Sequence, residues 1–303
     1  MKLGLIGLGK MGYPLALNMK DHGHEVIAYN RSQEKRDAIQ KEGVQVVDSI
    51  ETMVKRLDKP RTLWLMVPSG DAVDDLIDQL RPLLDEKDLI IDGGNSFYKD
   101  TIKRYEELKS FDIGYVDVGT SGGISGARYG ACFMAGGEEF YISRIHKILE
   151  DTAVKDGYAH VGRAGSGHYV KMIHNGIEYG MMQAIGEGFE ILEHSNLDID
   201  QTKVAKVWAH GSIIEGLLMN MVLQALEKSS DLRDIQGIVD ASGEGEWTVR
   251  EALDLKVFAP VISTALGMRF KSKDDLKYSE KMIAAMRNEF GGHALHKKDD
   301  GHD

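Results

Sequence analysis

The chain has 303 residues, 42% of them hydrophobic and 28% charged, with a formal net charge of −11. This is an ordinary globular composition, long enough for two domains or one large one, and its acidic balance argues against a nucleic acid partner. A single cysteine, Cys132, excludes an internal disulfide framework and a multi-cysteine metal site, and reads as a small buried residue.

The opening MKLGLIGLG carries one lysine and a short apolar run that turns glycine-rich, with no small-residue cleavage site, so it does not read as a secretory signal. No apolar run approaches the roughly 18 to 20 residues of a membrane span. The expected location is the cytoplasm.

Up to about residue 163, β-rich runs alternate with helical patterns: KLGLIGL, EVIAYN, TLWLMVP, LIIDGG, IGYVDVG and ACFMAGG. Strands that alternate with helices imply crossover connections and a mainly parallel, doubly wound sheet. From about 166 onward the stretches 168–194, 202–228 and 248–270 follow a 3.6-residue period, broken only by Pro260. The expected fold is α/β, a Rossmann-like dinucleotide-binding domain over 1–163 followed by an all-helical substrate-binding and oligomerisation domain over 164–303. The polar tail KKDDGHD is expected to fray.

Gly7-Leu8-Gly9-Lys10-Met11-Gly12 matches G-x-G-x-x-G between a strand and a helix. Glycines there permit a tight turn, close approach of backbone to a pyrophosphate and close helix packing, while the helix N-terminus attracts phosphate charge. After the second strand stand Asn30, Arg31 and Ser32, where an acidic residue would bond the ribose 2′-hydroxyl of NAD. A neutral amide, a guanidinium and a hydroxyl suit the extra phosphate of NADP, so NADP is preferred, with NAD as the alternative.

The stretch GHYVKMIHNGIEYG contains the second candidate site. His174, Asn175 and Glu178 follow Lys171 at helical spacings of 3, 4 and 7, which puts all four on one face. Met172, Ile173, Ile177 and Met181 occupy the other faces and can pack, and Gly176, Gly180 and Gly186 allow close approach of neighbours. Strand-end loops add Asn95 of DGGNS and Ser121, Gly122 and Gly123 of GTSGG, with backbone and side-chain groups suited to oxygen ligands.

DGGNS, the SGG…GARYG block at 121–130 and GHYVKMIHNGIEYG resemble signatures of the decarboxylating 6-phosphogluconate dehydrogenase family, and the resemblance covers essentially the whole chain. Its length is similar to the short form, without the duplicated helical half of longer members. The resemblance implies oxidation and decarboxylation of 6-phosphogluconate to ribulose 5-phosphate with NADP or NAD, a step of the pentose phosphate pathway and of gluconate utilisation, with no metal. It makes Lys171 the general base, Glu178 the acid that protonates C1, and Asn175 and His174 the pair that orients substrate. It places Ser121, Gly122 and Gly123 at the substrate carboxylate, Asn95 between substrate and cofactor, and Val67 of MVPSG at the cofactor. Tyr179, Arg269 and Arg287 would hold the phosphate, and Arg287 and His293 would complete a neighbour's active site, implying a homodimer or homotetramer.

Three stretches depart from the family pattern. Glu246 in SGEGEWT stands where the family has a phosphate-binding lysine, Pro68 where it often has lysine, and Ile124-Ser125 where it has a glutamate pair. The alternative is a β-hydroxyacid dehydrogenase such as 3-hydroxyisobutyrate dehydrogenase, which would not need His174, Glu178 and Tyr179 together with Arg269 and the RNEFGGH segment. A noncatalytic dinucleotide sensor is a further reading, against which Lys171, Asn175 and Glu178 stand.

Overall fold

The computed structural model describes residues 1–296, and the KKDDGHD tail lies outside the described residues. The chain forms two compact units: Met1–Glu178 together with Trp247–Val257, and Tyr179–Glu246 together with the residues from Phe258 on.

The first unit is built on an eight-stranded sheet: β1 (Lys2–Ile6), β2 (Glu25–Tyr29), β3 (Gln45–Val46), β4 (Thr62–Leu65), β5 (Leu89–Asp92), β6 (Gly114–Ser121), β7 (Ala131–Gly136) and β8 (Ala153–Gly162). Their spatial order is β3-β2-β1-β4-β5-β6-β7-β8, parallel throughout except for the antiparallel pair β6 and β7. The first six follow the order of a doubly wound dinucleotide fold, with the switch point between β1 and β4.

Side chains alternate across the strands and divide the core into two layers. Leu3 and Leu5 join Leu15 and Met19 of α1 (Gly12–Asp21) and Ile142 and Ile145 of α7 (Glu139–Thr152) on one face. Ile6, Leu63 and Leu65 join Met53 of α3 (Ile50–Arg56), Ile77 of α4 (Asp71–Leu80) and Leu108 of α5 (Tyr98–Lys109) on the other. The remaining helices of the N-terminal half are α2 (Gln33–Lys41) and α6 (Gly123–Tyr129).

β3 and β8 lie outside the six expected strand runs. β3 is two residues long, and β8 alternates no apolar face, since most of its residues are exposed.

From residue 166 the chain is helical: α8 (Ser166–Glu193), α9 (Gln201–Trp208), α10 (Leu217–Lys228), α11 (Gly243–Asp254), α12 (Pro260–Lys271) and α13 (Tyr278–Gly291). The expected helix 202–228 is therefore two, interrupted where Gly211 takes a positive φ of 82° and Gly216 one of 157°. The expected helix 248–270 is likewise broken, because Pro260 opens α12 rather than interrupting a longer helix. Among the described residues no helix is long and apolar enough to cross a membrane.

Candidate active site

The Gly7–Gly12 loop joins β1 to α1, and its glycines divide the work. A Cβ on Gly7, whose φ is 108°, would lie 2.3 Å from the Met66 carbonyl oxygen, and one on Gly12 would lie 1.9 Å from the carbonyl oxygen of Gly7. Gly9 has nothing within 4 Å of that position. Two glycines thus allow the turn and the helix packing, and the middle one leaves the backbone open to a ligand, the arrangement that a dinucleotide pyrophosphate requires. Lys10 is exposed beside it and Met11 precedes the helix.

Asn30 is fixed toward this loop. Its Oδ1 accepts the Leu8 N–H at 3.0 Å, so Nδ2 is the group left to meet a ribose substituent. Arg36 donates to the carbonyls of Asn30 and Arg31, holding the turn, while Arg31 and Ser32 are exposed on it. Val67 lies in the loop after β4, half-buried, with its carbonyl 2.5 Å from where a Gly94 Cβ would stand.

The candidate catalytic side chains stand on the N-terminal turns of α8, which lie close against β6 and β7. Gly119, Gly136 and Gly167 have no room for a Cβ; on Gly119 it would lie 2.5 Å from the Lys171 Cβ, and on Gly167 2.4 Å from the Met134 carbonyl oxygen. Asp117 of β6 caps the helix start, its two oxygens accepting the Gly165 N–H at 2.7 Å and the His168 N–H at 2.8 Å. Burial pushes the Asp117 carboxyl above the usual carboxylate range. His168 ties the same turn to β5 and α5, with Nε2 3.1 Å from the Asp92 carbonyl and Nδ1 2.7 Å from Thr101 Oγ1.

With that turn fixed, the expected face forms. Lys171, 5% exposed, donates from Nζ to Asn175 Oδ1 at 2.5 Å and stands 3.4 Å from His174 Nδ1. His174 Nδ1 lies 2.9 Å from the same Asn175 oxygen. An amide oxygen only accepts, so the imidazole proton belongs on Nδ1, and Nε2 is left to accept from Ser121 Oγ at 3.3 Å. Glu178 closes the row 3.9 Å from His174, its side chain 38% exposed.

Asn95 has a left-handed φ of 55° and a side chain that is already engaged. Its Oδ1 accepts from Thr120 N at 2.9 Å and its Nδ2 donates to Thr120 O at 3.2 Å, which staples the DGGNS loop to the end of β6. Asp92 shapes the loop from beneath, accepting from Gly94 N, Ser96 Oγ and Tyr115 OH. Gly122 and Gly123 take positive φ values of 104° and 64° just past Ser121.

Tyr179 and Arg269 belong to the second unit. The Arg269 guanidinium stacks 3.4 Å from the Tyr179 ring centre and donates to the Asp240 carbonyl at 2.8 Å. The Tyr179 hydroxyl accepts the Ser242 N–H at 2.7 Å and lies 2.9 Å from Ser242 Oγ. Ser242 is thus a group at this cluster that the sequence reading passed over, although it opens SGEGEWT. Glu246 sits in the first turn of α11, where an acidic residue favours the helix dipole. Arg287 is exposed on α13, its side chain without a hydrogen bond or ion pair to another described residue, and His293 follows the end of that helix.

Four local expectations need correction. Cys132 is exposed, because it faces outward from β7. Ile177 and Met181 are half exposed, and no atom comes within 4 Å of a Cβ placed on Gly186, so that part of α8 packs on fewer faces than its period allows. Among the described residues no group of three or more His, Cys, Asp or Glu is placed to hold a metal ion.

Residues 2–162 match the family model for the NAD binding domain of 6-phosphogluconate dehydrogenase, and residues 167–278 match the model for its C-terminal domain. The chain belongs to the 6-phosphogluconate dehydrogenase family. A putative 6-phosphogluconate dehydrogenase of Bacillus subtilis, YqeC, is 49% identical over 98% of this chain and 100% of its own length. An NAD(+)-dependent, decarboxylating 6-phosphogluconate dehydrogenase of Haloferax volcanii is 42% identical over 99% and 100%. The solved 6-phosphogluconate dehydrogenase of Plasmodium falciparum superposes with a TM-score of 0.84 at 33% identity, covering 100% of this chain and 67% of that one. A 3-hydroxyisobutyrate dehydrogenase of Mycobacterium tuberculosis, at 23% identity and a TM-score of 0.71, shares the fold.

Proposed function

We propose that this protein oxidises and decarboxylates 6-phosphogluconate, giving ribulose 5-phosphate, carbon dioxide and reduced NAD(P). The observation that carries the reading is the buried Lys171 amine bonded to Asn175, in one row with His174 and Glu178, on a family member's nucleotide-binding unit. A dinucleotide with its pyrophosphate at the Gly7–Gly12 cradle would supply the nicotinamide as the two-electron acceptor.

Lys171 takes the C3 hydroxyl proton as hydride leaves C3. The resulting β-keto acid loses carbon dioxide while the Lys171 ammonium protonates the carbonyl oxygen, and Glu178 delivers a proton to C1 of the enediol. A lysine acting as base needs a setting that disfavours the ammonium. Glu178, more exposed, can recover its proton from solvent.

Asn175 and His174 orient the substrate, with Ser121, Gly122 and Gly123 on its carboxylate side and Asn95 between substrate and cofactor, and Tyr179, Arg269 and Arg287 take the phosphate. Gly7, Leu8, Gly9, Lys10, Met11, Gly12 and Val67 hold the dinucleotide within the 1–163 domain. NADP is the preferred form, supported by Asn30, whose Oδ1 is taken by the Leu8 N–H and leaves the Nδ2 donor, and by the exposed Arg31 and Ser32 beside it. The reading places the protein in the cytoplasm, as a homodimer or homotetramer in which a second copy covers the exposed side chains of Ile213, Leu217 and Phe258 and receives Arg287 and His293.

The test is turnover of 6-phosphogluconate with each cofactor by the wild type and by Lys171→Met, which removes the base and keeps most of its volume. Loss of a general base costs about 10²- to 10⁴-fold in rate. Cofactor binding is expected to persist in the variant. Wild-type turnover of 3-hydroxyisobutyrate in place of 6-phosphogluconate would replace this reading.

A further inference from the structure

A buried carboxylate away from the reactive row ties three elements of the first unit together. Glu251 of α11, 8% exposed, accepts from Tyr98 OH at 2.7 Å on one oxygen and from Tyr169 OH at 3.3 Å on the other. Tyr98 opens α5, three residues after Asn95, and Tyr169 lies two residues before Lys171. The two rings meet edge to face with centres 4.8 Å apart, so the hydroxyls converge on one point.

One turn earlier on α11, Thr248 donates to the Met172 carbonyl at 2.8 Å, and a Cβ on Gly176 would lie 2.5 Å from its methyl group. Trp247 stacks on Phe97 with ring centres 4.9 Å apart. Residues 247–251 therefore touch both the DGGNS loop's exit and the Lys171–Gly176 turn. None of these groups belongs to the reactive row.

We propose that Glu251 is a positioning residue, the carboxylate hub that sets the Asn95 loop and the Lys171 turn at their working separation. The hub rests on the proposed reaction for its kinetic readout. It predicts a loss that falls mainly on kcat, because Lys171 acts on the proton in flight, with a smaller rise in KM through Asn95, His174 and Asn175, which touch the substrate. A misplacement of about 1 Å costs on the order of 10²-fold in rate.

Glu251→Ala removes both acceptors. Glu251→Gln can keep both bonds, its carbonyl accepting from one tyrosine and its amide donating to the other phenolic oxygen. The expected result is a fall in kcat of at least about tenfold in the alanine variant, with KM for 6-phosphogluconate within about threefold, and recovery in the glutamine variant. If Glu251→Ala does not fold, the double variant Tyr98→Phe with Tyr169→Phe deletes the same two bonds and keeps the rings, and it is expected to show the same fall.

Competitive reductive methylation of Lys171, read by mass spectrometry, reports the position of the turn without any turnover. Lys171 is expected to label several-fold faster in the alanine variant and at the wild-type rate in the glutamine variant. Failure of the wild type to turn over 6-phosphogluconate sinks the reaction and leaves this labelling arm to decide the hub. Wild-type kcat and wild-type labelling in a folded Glu251→Ala overturn the proposal, and equal impairment of the alanine and glutamine variants does so as well.

Discussion

Gly119→Ala tests the contact that places the candidate base. The added Cβ would stand 2.5 Å from Lys171 Cβ, 2.8 Å from the Gly167 carbonyl oxygen and 3.1 Å from Lys171 Cγ. Carbon atoms rest about 3.5–4.0 Å apart, so the shortfall is about 1 Å. No rotamer change relieves it, because the nearest atoms are a Cβ and a backbone oxygen. The helix cannot slide away cheaply either, since Asp117 holds the N–H groups of Gly165 and His168. Overpacking of this kind costs about 1–3 kcal/mol, and displacing a reacting amine by about 1 Å costs on the order of 10²-fold in rate. Gly186→Ala is the control on the same helix, where open space surrounds the new atom. There alanine should stabilise by up to about 1 kcal/mol and leave activity unchanged. The assay is kcat, cofactor affinity and thermal unfolding for both variants. A Gly119→Ala enzyme with wild-type kcat and unfolding temperature would refute the placement of Lys171 against β6.

Asn30→Asp should move preference from NADP toward NAD by about tenfold or more, because a second carboxylate oxygen would replace the Nδ2 donor and repel a 2′-phosphate; an unchanged ratio of kcat/KM for the two cofactors would refute the assignment. Burial raises the Asp117 pKa in the folded state, so the stability it contributes is fully present below the unfolded value of about 4 and is lost as pH rises through the folded value. The gap in unfolding free energy between wild type and Asp117→Asn should therefore narrow from about pH 4 toward neutrality, measured by urea unfolding, whereas a gap that widens would contradict the sign. Lys171→Met and Arg287→Ala, each inactive alone, should regain activity when their subunits are mixed and exchanged, if Arg287 serves a neighbouring copy; no recovery in verified hetero-oligomers would place Arg287 in its own subunit's chemistry.

The sheet was legible because its central strands are buried on both faces and read as continuous apolar runs such as LWL and LII. β8 was not, since the exposed polar residues of AVKDGYAHVG carry no such signal. The reactive row was legible from spacing alone, because one continuous helix converts intervals of 3, 4 and 7 into a single face. What fixes that helix was hidden: Asp117 and His168 act through contacts 51 and 76 residues away in the chain, which no local pattern displays. The same holds for Glu251, which reaches 153 residues back to Tyr98.

The glycines show why such distant contacts matter here. A base works only where its amine is both dry and exactly placed to about half an ångström, and long side chains provide neither constraint. Gly119, Gly136 and Gly167 put no side chain of their own between strand and helix, so the two lie in close contact and the backbone largely defines the distance. Asp117 then satisfies the helix N–H groups that this burial removes from solvent. Removing the carboxylate or adding one methyl group at the contact attacks the same quantity from opposite sides. Both should therefore lower kcat before they weaken cofactor binding at the Gly7–Gly12 loop.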